Sequence, residues 1–188
     1  MTETFVQIQL LQIKEELNAF LAWLAPRAPV HIVEIGAHQG GTALHFCQVA
    51  SGLTISVDLP EGEGGGLTWA QCGIRNQMIT SQFARYRSVL GDSHDPATLG
   101  AVVRLLKGEP ADLLFIDGDH TLPGVTADYA MYAPLVRPGG AVAFHDINDT
   151  AMHRAVGCVV SEFWATLPGT KREFNVHGAW GGIGVVEV

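Results

Sequence analysis

Residues 30–41 read VHIVEIGAHQGG, and this stretch decides the fold. Val30 to Ile35 is an apolar run of strand length. Gly36, Gly40 and Gly41 turn the chain, and a helix is expected from Thr42 to Ala50. A buried strand that runs through a glycine turn into a helix N-terminus is a ligand cradle. The glycines let the backbone approach a ligand closely, and the first helical N–H groups point at it.

Upstream, Phe5 to Leu24 carries Ile8, Leu11, Leu17, Phe20, Leu21 and Leu24 at helical spacing, and Pro26 and Pro29 end the pattern. Downstream, strands are expected at Leu53–Leu59, Tyr86–Leu90, Ala111–Ile116 and Ala141–Phe144, with Arg137 to Gly140 as a turn before the last. Helices are expected at Leu67–Phe83, at Pro96–Leu106 with Asp95 as N-cap, at Gly124–Leu135 and at Thr150–Leu167. Glu173–His177 and Ile183–Val188 close the chain as a hairpin-like pair of strands. Alternation of strand and helix from residue 30 to about 167, with strands apolar on both faces, predicts an α/β sandwich on a mostly parallel sheet. The final pair would put one antiparallel strand into it. Residues 1–188 read as one domain, an N-terminal helix within 1–27 and an α/β core over 28–188. Pro60 to Gly66, PEGEGGG, is either a plain linker or a lid beside the glycine turn.

The chain has 188 residues, of which 16% are charged and 47% hydrophobic, enough to bury one sizeable core. Its net charge of −8 argues against a nucleic-acid or anionic-membrane surface, which needs basic patches. Cys47, Cys72 and Cys158 are far apart and form no CxxC, so they read as reduced, buried thiols. Neither a basic, apolar leader nor a bilayer-length apolar run is present, and a soluble cytoplasmic protein is expected.

In an open parallel sheet, ligands bind beyond the carboxyl ends of the strands. Here those ends carry Glu34-Ile35-Gly36, Asp58, Asp92-Ser93, Asp117-Gly118-Asp119-His120 and His145-Asp146. The turn is E-x-G-x-x-x-G rather than G-x-G-x-x-G, and His38 stands where a dinucleotide site wants its second glycine. A pyrophosphate would be obstructed there and repelled by the surrounding acids. Asp58, 18 residues after Gly40, is placed to accept bonds from ribose hydroxyls.

The segments VEIGAHQGG, SVDLPEG, GDSHD and DLLFIDGDHTLPGVTADYAMYAPLVRPGGAVAFHDI resemble the successive motifs of class I S-adenosylmethionine-dependent methyltransferases. More narrowly, they resemble the small O-methyltransferase family that includes cephalosporin hydroxylase-type and macrolide-sugar O-methyltransferase proteins. The resemblance covers roughly residues 28–150, and Asp112 to Ile147 is its most diagnostic part. It implies a Rossmann-like sandwich with a seven-stranded sheet. It also implies that Gly36, Ala37, His38 and Gly40 line the methionine part of the cofactor, with Glu34 near its amino group. Asp58 and Leu59 would meet the ribose, Asp92 and Ser93 the adenine, and Asp117 would also bind the cofactor.

Methyl transfer from a sulfonium is an in-line displacement that needs alignment and removal of the acceptor's proton. His120, expected neutral near pH 7, is the candidate base, with Asp117 beside it. Asp117, His145 and Asp146 are candidate ligands for a divalent cation, Mg²⁺ or Mn²⁺. Related metal-dependent members carry two acids where this chain has His145-Asp146. The histidine shifts preference from Mg²⁺ towards Mn²⁺, Fe²⁺ or Zn²⁺. His31, His45, His153 and His177 stand apart from this cluster in sequence and read as incidental. Trp69 and Trp164 read as core or lid packing.

The expected activity is therefore O-methylation of a hydroxyl on a small molecule, a sugar or secondary metabolite. The N-terminal helix and the glycine-rich loop would help cover the acceptor, and the apolar first helix leaves room for a homodimer. Two rival readings are a nicotinamide-dependent oxidoreductase, which the missing G-x-G-x-x-G disfavours, and a catalytically silent cofactor-binding or assembly module.

Overall fold

A computed structural model describes residues 6–61, 66–176 and 179–188. Seven strands form one sheet: β1 (Ile32–Ile35), β2 (Thr54–Asp58), β3 (Tyr86–Leu90), β4 (Ala111–Ile116), β5 (Val136–His145), β6 (Lys171–Phe174) and β7 (Ile183–Glu187). Their order is β3-β2-β1-β4-β5-β7-β6. All pairings from β3 to β5 are parallel, and β7 runs antiparallel to both of its neighbours. The expected sandwich with a single reversed strand is thus present. The order reverses between β1 and β4, which places the glycine turn beside the end of β4.

The helices are α1 (Lys14–Leu24), α2 (Gly41–Val49), α3 (Trp69–Gln82), α4 (Pro96–Leu106), α5 (Leu122–Tyr132), α6 (Ala151–Val156) and α7 (Val160–Thr166). Several helix starts follow from local chemistry. Thr68 and Gln71 form a capping box on α3, the Asp95 side chain accepts from Ala97 N, and the Thr121 side chain accepts from Gly124 N. One face of the sheet packs Val33, Ile35, Val57, Leu114 and Phe144 against α4, α5 and α7. The other packs Ile32, Phe115 and Ala143 against Leu17 and Phe20 of α1 and Phe46 of α2. No helix of the described residues is long and apolar enough to cross a membrane.

Four expectations change. The first helix begins at Lys14, not Phe5: residues 6–13 are non-helical, with Val6, Ile8 and Leu10 turned partly inward and Gln7, Gln9 and Leu11 outward. That alternation has a period of two, so the segment presents one apolar edge as an extended strap. The apolar face of α1 is buried within the protomer, which removes the argument for a homodimer through it. The expected helix over 150–167 breaks at Gly157, whose φ of +73° ends α6 in a left-handed cap. Arg137 to Gly140 form a register shift inside β5 rather than a turn before it. The glycine-rich loop falls largely on residues 62–65, and His177 on 177–178; these lie outside the described residues.

Candidate functional site

The glycine turn is built by contacts that exclude a side chain. Gly36 has φ +89°, and a Cβ there would stand 1.9 Å from the Asp117 carbonyl oxygen. The ends of β1 and β4 can lie this close only with glycine at that position. His38 adopts φ +40° and donates its backbone N–H to Asp58 Oδ1 at 3.2 Å. Gly40, at φ +81°, is covered by Ile79 and Arg75.

Asp58 is held from the other side by Arg75, a residue with no motif to mark it. Arg75 is fully buried, its Nη1 lies 2.5 Å from Asp58 Oδ2, and it also donates to the His38 carbonyl. The Cys72 thiol also donates weakly to Oδ2 at 3.8 Å, which leaves the carboxylate's free acceptor capacity mainly on Oδ1, where a ribose hydroxyl would bond. Glu34 lies behind the turn rather than in the cleft. It is fully buried, accepts from Ser56 Oγ at 2.6 Å, and burial pushes its carboxyl up to about 8. At neutral pH it carries a proton and is no counter-charge for an ammonium group. Asp92 is exposed and caps its own turn through His94 N, while the Ser93 carbonyl accepts from Tyr132 OH at 3.0 Å. Ala37 is buried and Leu59 exposed at the same edge.

Across the switch point the ends of β4 and β5 bring two carboxylates and three imidazoles together. Asp117 Oδ1 lies 3.3 Å from His120 Nε2 and 3.3 Å from His145 Nδ1. Asp146 Oδ2 lies 3.5 Å from His120 Nδ1, and its Oδ1 lies 3.0 Å from His145 Nδ1 and 3.4 Å from His153 Nε2. His153, which looks incidental in sequence, is therefore part of the cluster: α6 folds it back by ordinary helix geometry, and it is buried. The contacts are close but poorly aligned. Both ring nitrogens of His145, Asp146 Oδ1 and His153 Nε2 are buried without a hydrogen-bond partner among the described residues. Asp146 also sits at φ +62°, a conformation that costs a non-glycine residue energy and accumulates at functional sites.

The electrostatics follow from this crowding. Burial would lower the pKa of His145, but Asp117 and Asp146 outweigh it and raise it to about 10. Burial likewise opposes a proton on His120, yet the hydrogen bond to Asp117 and both carboxylates raise its pKa above the ordinary value. Asp117 goes the other way: burial raises its pKa, and the charge on His145 with the hydrogen bond from His120 holds it well below the usual range. Relative to the neutral imidazole expected from sequence, the carboxylate neighbours shift His120 towards the imidazolium.

The strap of residues 6–13 lies over both halves. Gln12 Nε2 donates to Asp117 Oδ2 at 2.7 Å, and a Cβ on Gly41 would stand 2.3 Å from the Gln9 carbonyl oxygen. Glu16 then anchors the strap's end, accepting from Val176 N and Gly182 N at 2.7 Å each. Two surface hollows, one lined by Trp23, Arg27 and Asp112 and one by Cys47, Phe83 and Tyr86, open at the opposite ends of the strands. The chemistry lies at the covered end.

The sheet order, the single reversed strand and the acids at the strand ends define a Rossmann-like methyltransferase architecture. Residues 33–147 match the family model described as a methyltransferase domain, and the chain belongs to that family. An uncharacterized protein of Sinorhizobium fredii, y4gI, is 29% identical over 153 residues, covering 78% of this chain and 16% of the relative. The chain therefore spans a small part of the curated relative it matches. Among solved structures, an O-methyltransferase from Bacillus cereus in complex with SAH superposes with a TM-score of 0.69 at 18% identity, covering 96% of this chain and 84% of that one. An rRNA methylase from Streptococcus thermophilus gives 0.65 at 14% identity, covering 94% and 98%. The MycE methyltransferase of the mycinamycin biosynthetic pathway, in complex with Mg, SAH and mycinamycin VI, gives 0.56 at 17% identity, covering 90% and 48%.

Proposed function

We propose that the protein is an S-adenosylmethionine-dependent O-methyltransferase acting on a hydroxyl of a small molecule. The observation that carries this reading is the His120 imidazole held between Asp117 and Asp146 directly across the switch point from the glycine turn. The turn and Asp58 hold the nucleoside, and the β4–β5 side handles the acceptor's proton. The SAH-bound B. cereus structure supports the cofactor, and the MycE structure in complex with mycinamycin VI supports a small-molecule acceptor. The rRNA methylase shares the fold, so the architecture by itself does not choose between these acceptors. The net charge of −8 favours the small one.

Asp117, His145 and Asp146 suit a divalent cation: their ligand atoms lie within 4.8 Å of one another, and several are buried and unpartnered. When bound, such an ion would hold the acceptor oxygen and lower its pKa. Added positive charge beside Asp117 and Asp146 would also offset the field that favours a proton on His120. His120 takes the acceptor's proton, while Asp117 orients its Nε2. Gln12 holds Asp117 Oδ2 while Oδ1 faces both imidazoles, so only two-oxygen binding by Asp117 would require the strap to release it.

The test is formation of S-adenosylhomocysteine from S-adenosylmethionine with panels of sugars, phenols, macrolides and structured RNA, with and without Mn²⁺. Turnover with a small hydroxylated acceptor is expected, and His120→Ala should lower kcat by about 10²–10⁴-fold, the usual contribution of a positioned base. Turnover on RNA alone, or cofactor binding with no acceptor and no effect of His120→Ala, contradicts the reading.

A further inference from the structure

The break between α6 and α7 brings a thiol to the cluster that the proposed methyl transfer does not use. Gly157 ends α6, Cys158 N donates to the His153 carbonyl at 2.9 Å, and Val159 N donates to the His120 carbonyl at 2.9 Å. Cys158 is thereby fixed beneath His120 and buried. Ligand atoms of His120, Asp146 and Cys158 all lie within 4.8 Å of one another. Independently of the thiol, Asp146 Oδ1 and His153 Nε2 lie 3.4 Å apart in side chains more than nine-tenths buried, and neither has a hydrogen-bond partner among the described residues.

We propose that His120, Asp146 and Cys158 form a thiolate-containing site for a zinc-class divalent cation, and that an ion bound there withdraws His120 from proton transfer. Ligands about 2.0–2.3 Å from a tetrahedral ion stand roughly 3.3–3.8 Å apart. The 3.5 Å between His120 Nδ1 and Asp146 Oδ2 already meets that spacing, and the thiol, within 4.8 Å of both, needs to close by at most about 1 Å. Three protein ligands leave the fourth position to water or to His153. Thiolate with imidazole selects Zn²⁺ or Co²⁺ over Mg²⁺, the reverse of an all-oxygen site. Binding sends the Cys158 proton to solvent. Because Asp146 also belongs to the Asp117–His145–Asp146 face, occupation of one face disfavours the other. The inhibitory half of this inference rests on the reading of His120 as base; the binding half does not.

The experiment is a Co²⁺ titration of the intact chain, followed by absorption, with no S-adenosylmethionine present. A saturable thiolate-to-cobalt charge-transfer band at one equivalent is expected. Zn²⁺ should bleach it and excess Mg²⁺ should not. Cys158→Ser should abolish the band with an unchanged far-ultraviolet circular dichroism spectrum. His120→Ala, at a partly exposed position, should weaken Co²⁺ binding by tenfold or more, about the least expected from losing a ligand. Asp117→Asn should keep the band. Absence of Co²⁺ binding, binding without the band, a band that survives Cys158→Ser, or one lost in Asp117→Asn but intact in His120→Ala overturns the site. A band in the wild type without Zn²⁺ inhibition of methyl transfer overturns the inhibitory half. These binding outcomes stand apart from the methyltransferase reading, since no cofactor or acceptor is involved.

Discussion

The two halves of the strand-end edge treat buried charge in opposite ways. At β1–β2, Asp58 is met by Arg75 and by the His38 N–H, and the Arg75 Nη1 that holds it is shared with the His38 carbonyl. At β4–β5, two carboxylates and three imidazoles crowd together and leave four polar atoms of His145, Asp146 and His153 unpartnered. The first half also buries atoms unpartnered among the described residues, Glu34 Oε1, His38 Nδ1 and Arg75 Nη2, but its carboxylate Asp58 is paired with a permanent guanidinium charge, whereas Asp117 and Asp146 face imidazoles whose charge a bound cation can replace. The first half therefore behaves as a preformed cradle, and the second as a receptor for a cation and a substrate oxygen.

The largest way to break this contrast is Arg75→Met. Removing one partner of a buried ion pair strands the other, and the cost should be about 3–5 kcal/mol. Denaturant unfolding of the variant checks this. A loss below about 1 kcal/mol would mean the cradle is not held by the pair, since that is the range of exposed ion pairs.

Glu34 gives a pH signature to the same half. Its folded pKa of about 8 lies above its ordinary 4.5. Between these values the folded state keeps a proton that the unfolded state has lost. Wild-type stability should therefore fall as pH rises through the 4.5–8 window, with the full penalty above it. Glu34→Gln lacks that penalty. It should match the wild type at acid pH and exceed it in thermal unfolding at alkaline pH, and an unchanged difference across the window would contradict the buried acid.

The smallest effect belongs to the second half. Gln12→Ala removes the strap's bond to Asp117, and Mn²⁺ affinity measured by titration should rise by up to about tenfold, the equivalent of one net hydrogen bond. Weaker binding would instead make Gln12 a supporting residue of the cation site.

The fold was legible because its strands are apolar on both faces and its turns are marked by glycine. Sequence alternation led directly to the parallel sheet, and the strand-end acids to Asp58, Asp117 and Asp146. What sequence hid had physical reasons. Arg75 lies mid-helix with no motif, and only the packing of α3 over Gly40 turns it towards Asp58. His153 and Cys158 reach the site because Gly157 breaks a helix that periodicity alone would continue. The buried Asp128, 3.3 Å from His94 Nε2, pairs residues 34 apart and leaves no local trace. The strap carried a signal that was outweighed: Val6, Ile8 and Leu10 alternate with Gln7 and Gln9, but Ile8 and Leu11 also fit the helical period of the residues that follow.

The division of labour between the two halves is tested most directly by calorimetric titration of S-adenosylmethionine and S-adenosylhomocysteine, each with and without Mn²⁺, into the wild type, Asp58→Ala and Asp117→Asn. Both nucleosides should bind the wild type. Asp58→Ala should lose them while keeping Mn²⁺, and Asp117→Asn should keep them while losing Mn²⁺. Absence of nucleoside binding to the wild type, or unchanged binding in Asp58→Ala, would contradict the account.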